Sequence, residues 1–460
     1  VADPRIVIVG AGPAGTRAAE ALVAAGLRPT VIDEGRYSGG QIYRRQPPNF
    51  TRRPEALYGT EAAKARAIHS AFDQLAGRID YRPETLAWAV KDNTLHIQKN
   101  MRIEALDYDA LLIASGATDR VIPLPGWTFP GCYSLGAAQI TLKMQACAIG
   151  SRVVFLGTGP LLYLVAWQYL KAGCAPLAVL DTSRMADHLA GLPLMASRPE
   201  QLLKGARLVS GLRRAGVAIW RGILPREVLG DPDRGVAGIR FTDANGQDRQ
   251  IDCNAIGMGY HLRAESQLAD LAGCEFAFDP LLRQWLPHVD DAGRSSVANV
   301  YLAGDGVRIL GADAAETSGR LAAMALLTDF GRAQPRFAMD RLRRLMQRHK
   351  RFAQGIAKAF PWPWQQMATM PRTTVVCRCE AITVDELCSA VETCQAPEVN
   401  RAKAFSRVGM GRCQGRFCGQ ASQEIVAFAQ QASVESSGRL RGQAPVKPLP
   451  IGVCEEVGHG

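Results

Sequence analysis

Arg5-Ile-Val-Ile-Val9 runs straight into Gly10-Ala11-Gly12-Pro13-Ala14-Gly15, and an alanine-rich stretch from Thr16 to Ala25 follows before Gly26. The apolar run reads as a strand buried on both faces and the stretch after the glycines as a helix. Pro29-Thr-Val-Ile32 reads as a second strand, ending on Asp33, Glu34 and Gly35. Gly10 permits the tight turn, Gly12 lets backbone N–H groups approach a pyrophosphate, and Gly15 lets helix and strand pack closely. Asp33, 18 residues past Gly15, is placed to accept hydrogen bonds from a ribose. Strand, glycines, helix, strand and acid in register predict a dinucleotide-binding α/β unit.

The motif by itself does not separate FAD from NAD, so later segments decide. Leu111-Leu-Ile-Ala114-Ser115-Gly116-Ala117 is another strand entering a small-residue turn. Asn299-Val-Tyr-Leu-Ala-Gly304-Asp305 is a strand that delivers one acid at its C-terminal end, the edge where open α/β sheets bind ligands. Gly311 to Ala315 then opens a helix whose N–H groups face a flavin's pyrimidine edge. On these residues the chain resembles the two-dinucleotide-domain flavoproteins that include thioredoxin reductase. The resemblance implies FAD, with Asp305 on its ribityl chain and Gly39-Gly40-Gln41 along the isoalloxazine. Arg44, Leu86 and Ala312 complete the expected FAD site.

Arg152-Val-Val-Phe-Leu156 and Gly157-Thr-Gly159-Pro-Leu-Leu162 repeat the pattern, with a helix to Ala172 and a strand, Leu177 to Leu180, closing on Asp181. This resembles the family's inserted second Rossmann-like unit, where relatives bind NAD(P)H. Leu162 stands in place of the third glycine, where it pushes the helix from the strand or fills the site. No arginine pair is placed for a 2′-phosphate, although Arg184 lies near. Both features count against an NAD(P) site. Thioredoxin reductase-like enzymes also need a Cys-x2-Cys dithiol here, and Cys132, Cys147, Cys174 and Cys253 do not provide that spacing. Electrons therefore leave FAD by another route.

Val375-Val-Cys377-Arg-Cys379-Glu and Gly411-Arg-Cys413-Gln-Gly-Arg-Phe-Cys418-Gly form two close thiol pairs about 33 residues apart. Between them Thr383 to Glu392 reads as a helix, capped by Thr383 with Glu386 three residues on. Four thiolates suit either zinc or an iron–sulfur cluster, and the tight Cys-x-Cys is less usual for zinc. The layout resembles the bacterioferritin-associated ferredoxin-like module, which implies a 2Fe–2S cluster on Cys377, Cys379, Cys413 and Cys418. The second pair departs from that module, being Cys-x4-Cys rather than Cys-x2-Cys.

FAD motifs, a degenerate second unit and this C-terminal module together resemble one narrower family across essentially the whole chain. It is the FAD-containing α (large) subunit of bacterial heteromeric amine dehydrogenases: opine oxidases, D-hydroxyproline and L-proline dehydrogenases, and hydrogen cyanide synthase. Gly39-Gly-Gln-Ile-Tyr-Arg44, Pro130-Gly131 with Gly136-Ala-Ala-Gln139, and Gly411-Arg-Cys-Gln-Gly-Arg416 carry it. The resemblance implies a subunit that relays electrons from a catalytic FAD-dependent β subunit of the D-amino-acid-oxidase type. It also allows an FMN at the subunit interface and a small third subunit. The residues agree in one respect: no substrate-oxidising constellation is present, so no catalytic residue is expected on this chain. The seven histidines are scattered and read as surface or satisfied core residues. His261, just past a domain crossing, is the one candidate for the flavin's neighbourhood.

The expected fold class is α/β, with two Rossmann-like dinucleotide-binding domains, the second inserted in the first, and a small helical C-terminal 2Fe–2S domain. The expected boundaries are 1–125 with 263–330 for the FAD domain and 126–262 for the insertion. A basic helical connector (331–371), the cluster domain (372–430) and an extended tail (431–460) follow. At 460 residues the chain has length for about three domains. Hydrophobic residues at 47% against 21% charged exclude a disordered or fibrous chain. Twelve cysteines are too dilute for a disulfide scaffold and point to a reducing, cytoplasmic setting. The strand opening at Arg5 leaves no room for a leader. Val153 to Leu170 is uncharged, but Gly157, Gly159 and Pro160 make it a strand and a helix rather than a membrane span.

The net charge of +11 is concentrated between Gly331 and Arg372, where ten Lys/Arg accompany one acid, Asp340. Arg341, Arg344, Arg348 and Arg351 recur at helical spacing, so a solvated linking helix is expected. Aromatics are not interleaved for base stacking, so no nucleic acid is expected, and any membrane contact is peripheral. Two other readings compete with the electron-relay subunit. One is a self-contained NAD(P)H-dependent flavin/iron–sulfur reductase, and the other is a non-catalytic nucleotide-binding scaffold.

Overall fold

The structure, a computed structural model, describes residues 3–49 and 52–450. Ile6–Val9 is the central strand of a five-stranded, all-parallel sheet. Thr30–Ile32 and then Asp80–Arg82 lie to one side of it, Ala110–Ile113 and then Val300–Leu302 to the other. Val9 is in register with both Ile32 and Ile113, so Gly10, Asp33 and Ala114 emerge together at one edge. Strand order reverses direction there, and open α/β sheets form their ligand crease at such a point. Helices Pro13–Ala24 and Ala312–Asp329 cover one face. Their backbones meet at Gly319, where a Cβ would lie 2.1 Å from the Ala14 carbonyl oxygen. An antiparallel sheet of Leu86–Lys91, Thr94–Lys99 and Arg102–Asp107 covers the other face through Val90, Leu95 and Ile97.

A second five-stranded parallel sheet has the same plan. Val153–Thr158 is central, Ala178–Asp181 and Ala218–Arg221 lie on one side, and Ala255–Tyr260 and Cys132–Ser134 on the other. The uncharged stretch is thus a fully buried strand followed by helix Pro160–Lys171. The chain passes between the two units along Ala117–Asp119 and returns along Leu262–Ala264, and these two strands pair antiparallel. The outward passage therefore starts ahead of Leu124-Pro-Gly126, where proline and glycine mark a turn in the sequence.

The basic helix Arg336–Ala359 is more than a solvated link. Its small residues press on helix Met185–Met195: a Cβ on Gly355 would lie 2.7 Å from the Met195 amide nitrogen, and one on Gly191 2.4 Å from the Gly355 carbonyl oxygen. Arg341, Arg344, Arg348 and Arg351 face solvent while Met339, Met346 and His349 are buried. Beyond it, a short hairpin (Val375–Cys377 with Ile382–Thr383) and helices Val384–Glu392, Val399–Ser406 and Gly419–Ala429 enclose a core of Val376, Leu387, Val399, Ile425 and Val426. Thr383 and Glu386 form a reciprocal cap at the first of these helices, worth about 1 kcal/mol. Residues 431–450 lie along the surface without helix or strand, and 451–460, the end of the expected tail, lie outside the described residues. No helix among the described residues is long and apolar enough to cross a membrane.

Candidate cofactor sites

The first crease is built to a glycine's dimensions. A Cβ on Gly10 (φ +107°) would lie 2.4 Å from the Ala114 carbonyl oxygen, and one on Gly15 1.8 Å from that of Gly10. Helix Pro13–Ala24 starts from Gly12 with no side-chain cap, so its positive end faces the crease. Asp33 accepts the Ala11 N–H at Oδ2 and the Gly35 N–H at Oδ1, both at 2.6 Å. Burial raises its carboxyl pKa, and these N–H groups pull the other way. Each oxygen keeps a lone pair for a ribose hydroxyl. Gly40 rests on the Gly12 Cα, and the Gly39 N–H donates to the Ala11 carbonyl.

Arg44 donates to Gln41 Oε1 at 2.5 Å and to Met144 Sδ at 3.3 Å, while its Nε is buried with no partner. Its guanidinium lies close enough to Asp33 and Glu34 to feel their charge. At the far end Asp305 Oδ1 accepts the Leu310 and Gly311 N–H groups. Helix Ala312–Asp329 also starts uncapped, from Gly311. Gly116 and Gly311 face open space where a Cβ would be. Uncapped helix ends, open glycines, spare carboxylate lone pairs and an orphaned arginine donor fit an anionic dinucleotide.

The second crease is filled by the chain's own side chains. Asp181 is fully buried and accepts the Tyr163 hydroxyl at 2.6 Å and the Ser183 amide and hydroxyl at 2.9 and 2.8 Å. The His261 ring covers Gly159, where a Cβ would lie 3.1 Å from its Nδ1. His261 Nε2 is 2.5 Å from the Phe360 carbonyl oxygen, and burial pushes its pKa down to about 4. His261 is therefore a neutral donor on the second dinucleotide loop, which corrects the expectation that it neighbours the flavin. Phe360, delivered by the basic helix, packs its ring 4.6 Å from that of His188. Leu162 itself stays in the core between helix and sheet. Tyr163, one residue on, is what occupies the crease, and spacing carries no signal for it.

The four predicted cysteines converge. The Cys418 thiol donates to Cys377 and Cys413, and the Cys379 thiol donates to Cys413. The Cys418 contact, with N–H groups of Gly409, Glu380 and Cys379, lowers the Cys377 pKa to about 6 against burial. Cys413 falls to about 5, through Cys418 first and then the Phe417 N–H, Cys379 and the Gly415 N–H. Cys418 is raised by the same contacts. Among the described residues no three His, Cys, Asp or Glu side chains gather tightly enough to hold a single metal ion. The thiols instead form an open chain of four with backbone donors around it. Gly411 permits the approach of the two loops, since a Cβ there would lie 2.4 Å from the Cys379 Cβ.

One short segment ties this loop to the first crease. The Glu265 N–H donates to the Gly116 carbonyl, and the Ser115 hydroxyl donates to the Glu265 carbonyl. The Glu265 carboxylate takes Arg416 Nε at 2.9 Å and Nη2 at 2.8 Å, with side chains 13% and 10% exposed. Burial opposes its charge, but the Arg416 guanidinium holds its pKa below the usual range. Removing one partner of such a buried pair costs about 3–5 kcal/mol. Arg263, fully buried, donates to the Gly415 and Arg416 carbonyls, and Gln267 to that of Gln414.

A cleft of about 1000 Å³ runs from Glu34, Glu84 and Leu86 to Cys379 and Cys413, bordered by Arg378, Arg412 and Lys447. The tail forms one wall. Val446 is buried and donates its N–H to the Trp88 carbonyl, and Lys447 pairs with Glu34. Burying a valine contributes about 1.5–3 kcal/mol. Ending the chain at Gly442 is expected to speed FAD release by about tenfold, read as flavin retained on ultrafiltration. Full retention would make this wall irrelevant to the cofactor.

The pyridine nucleotide-disulphide oxidoreductase family matches residues 4–325. The opine oxidase A-chain component of Rhizobium meliloti is 36% identical over 468 residues, spanning 99% of this chain and 88% of that one. Hydrogen cyanide synthase subunit HcnB of Pseudomonas aeruginosa is 28% identical across 99% of both chains. The solved L-proline dehydrogenase from P. horikoshii shares the fold over 97% of this chain and 78% of its own, with a TM-score of 0.71 and 16% identity. Two parallel sheets joined by paired crossing strands, and these matches, agree that the chain belongs to the pyridine nucleotide-disulphide oxidoreductase family and, along nearly its whole length, is a relative of the flavoprotein subunits of opine oxidases.

Proposed function

We propose that this chain is the FAD- and 2Fe–2S-carrying subunit of a heteromeric dehydrogenase. That enzyme oxidises the C–N bond of an opine, D-hydroxyproline or related amino or imino acid. The observation that carries the reading is the convergence of four cysteines beside the loop that Glu265 ties to the flavin turn. An open chain of thiols with N–H donors suits a two-iron cluster better than one tetrahedral ion. Family membership implies the flavin, and Gly10 to Gly15, Asp33, Arg44, Ser115 and Asp305 would hold it. When bound, the flavin accepts two electrons and the cluster passes them on singly. This chain's own residues hold both groups, exclude water from the path and supply hydrogen bonds to sulfur.

Substrate oxidation is assigned to an FAD-dependent partner of the D-amino-acid-oxidase type. The opine oxidase and cyanide synthase relatives are named as subunits, which supports a multi-subunit enzyme. An interface FMN and a third small subunit remain part of the proposal, as does a cytoplasmic setting with peripheral membrane contact. The domain boundaries at 125/126, 262/263, 330/331 and 371/372 belong to it too.

Anaerobic titration with NADH and NADPH tests the assignment. With Tyr163, His188, His261 and Phe360 in the second crease, the flavin band near about 450 nm is expected to stay unbleached by either nucleotide while dithionite bleaches it. Rapid bleaching by NADH would put the self-contained reductase first. Iron and acid-labile sulfide assays separate the relay from a non-catalytic scaffold, for which neither would be found.

A further inference from the structure

We propose that Glu265 and Arg416 are the positioning pair that couples the flavin turn to the cysteine loop, so that electrons cross by this route. The inference rests on the reading of Cys377, Cys379, Cys413 and Cys418 as a 2Fe–2S site. Residues 263–267 meet both cofactor sites. On one side Glu265 holds the turn Ala114-Ser115-Gly116 by two backbone bonds, Glu265 N–H to Gly116 O at 3.0 Å and Ser115 Oγ to Glu265 O at 2.5 Å. On the other side all three polar side chains of the segment grip the four residues between Cys413 and Cys418. Glu265 takes Arg416 in a two-point pair, Arg263 binds the Gly415 and Arg416 carbonyls, and Gln267 binds the Gln414 carbonyl.

Arg416 closes the path. Its Nη1 donates to the Cys413 carbonyl at 3.2 Å and to the Val446 carbonyl at 2.6 Å. The route from flavin turn to ligand thus runs through Gly116, Glu265, Arg416 and Cys413 with hydrogen bonds at each break. A four-residue loop is what carries an arginine between these two cysteines. Because guanidinium and carboxylate meet at two points, the pair fixes orientation as well as separation. The transfer it serves moves one electron from reduced flavin to one ferric iron: the flavin is oxidised, the iron reduced, and the flavin's proton goes to water.

The test uses the full chain purified with its cofactors, comparing wild type with Glu265→Gln, Arg416→Gln and the double variant. FAD, iron and sulfide contents are measured first, then midpoint potentials, and then the rate at which the paramagnetic cluster signal appears once the flavin is photoreduced. Glu265→Gln and Arg416→Gln are expected to keep both cofactors and to slow cluster reduction by about tenfold or more, as small misplacements do at reacting centres. The double variant is expected to be no slower than either single, because the two act as one unit. Should Glu265→Gln lose iron, Arg416→Lys carries the test, since it keeps the charge and one contact. In that variant slowed reduction with iron retained supports the pair. Wild-type rates in a cofactor-replete variant would overturn it, as would a slowing accounted for by shifted potentials. Absence of iron and sulfide from the wild-type chain would instead sink the cluster reading itself.

Discussion

Gly15→Val yields a protein whose flavin band is lost on purification, with FAD weakened by at least about 3 kcal/mol, roughly 100-fold. The cause is geometric. A Cβ at this position would lie 1.8 Å from the Gly10 carbonyl oxygen and 3.4 Å from the Ile8 side chain. The Gly10 carbonyl is backbone, so helix Pro13–Ala24 has to move off the central strand. That displacement carries the uncapped helix end and the Gly12 turn away from the pyrophosphate position. Ala14 and Ala18 lie in the core between this helix and Ala312–Asp329, so a stability loss of about 1–3 kcal/mol accompanies it. Gly26→Ala is the control: it faces open space at φ +83°, and its FAD content is expected to match the wild type. Absorbance at the flavin band and thermal melting check both. A Gly15→Val protein with full flavin would mean that FAD does not use this crease.

The second large effect is expected at Cys413. Cys413→Ser is predicted to remove the cluster's visible bands and its paramagnetic signal on reduction, with iron falling from about two per chain to near zero. FAD is expected to remain. Cys413 occupies the middle of the thiol chain, contacted by both Cys418 and Cys379 and by the Phe417 and Gly415 N–H groups. Its thiolate is thus the best stabilised of the four and the hardest to replace by a hydroxyl. The flavin crease is formed by a different set of residues, joined to this loop only through 263–267 and the tail wall. A normal cluster in Cys413→Ser would refute the ligand assignment. Loss of flavin together with iron would show that the two sites fold as one.

The sequence by itself determined the two Rossmann-like units and the order of their parts. An apolar run, glycines at fixed offsets and an acid at the next strand's end leave few alternatives, because a parallel strand buried on both faces and a helix with room for a phosphate each demand those residue types. Cys377, Cys379, Cys413 and Cys418 were likewise legible, since close pairs of thiols are costly to leave without purpose in a reducing setting. Leu162 signalled a degenerate second site, but the plug itself did not show: Tyr163, His188, His261 and Phe360 come from four separate stretches of chain. The basic helix read as a solvated link because its charges dominate its composition. Only packing reveals that its glycine and alanine face lies on Met185–Met195 and delivers Phe360.

Glu265 and Arg416, 151 positions apart in the chain, and Lys447 against Glu34 carried no sequence signal at all. Local motifs record what one segment needs of its own backbone. Pairings between distant charges depend on where the crossing strands and the C-terminal helices set their segments, and that is settled by the tertiary fold.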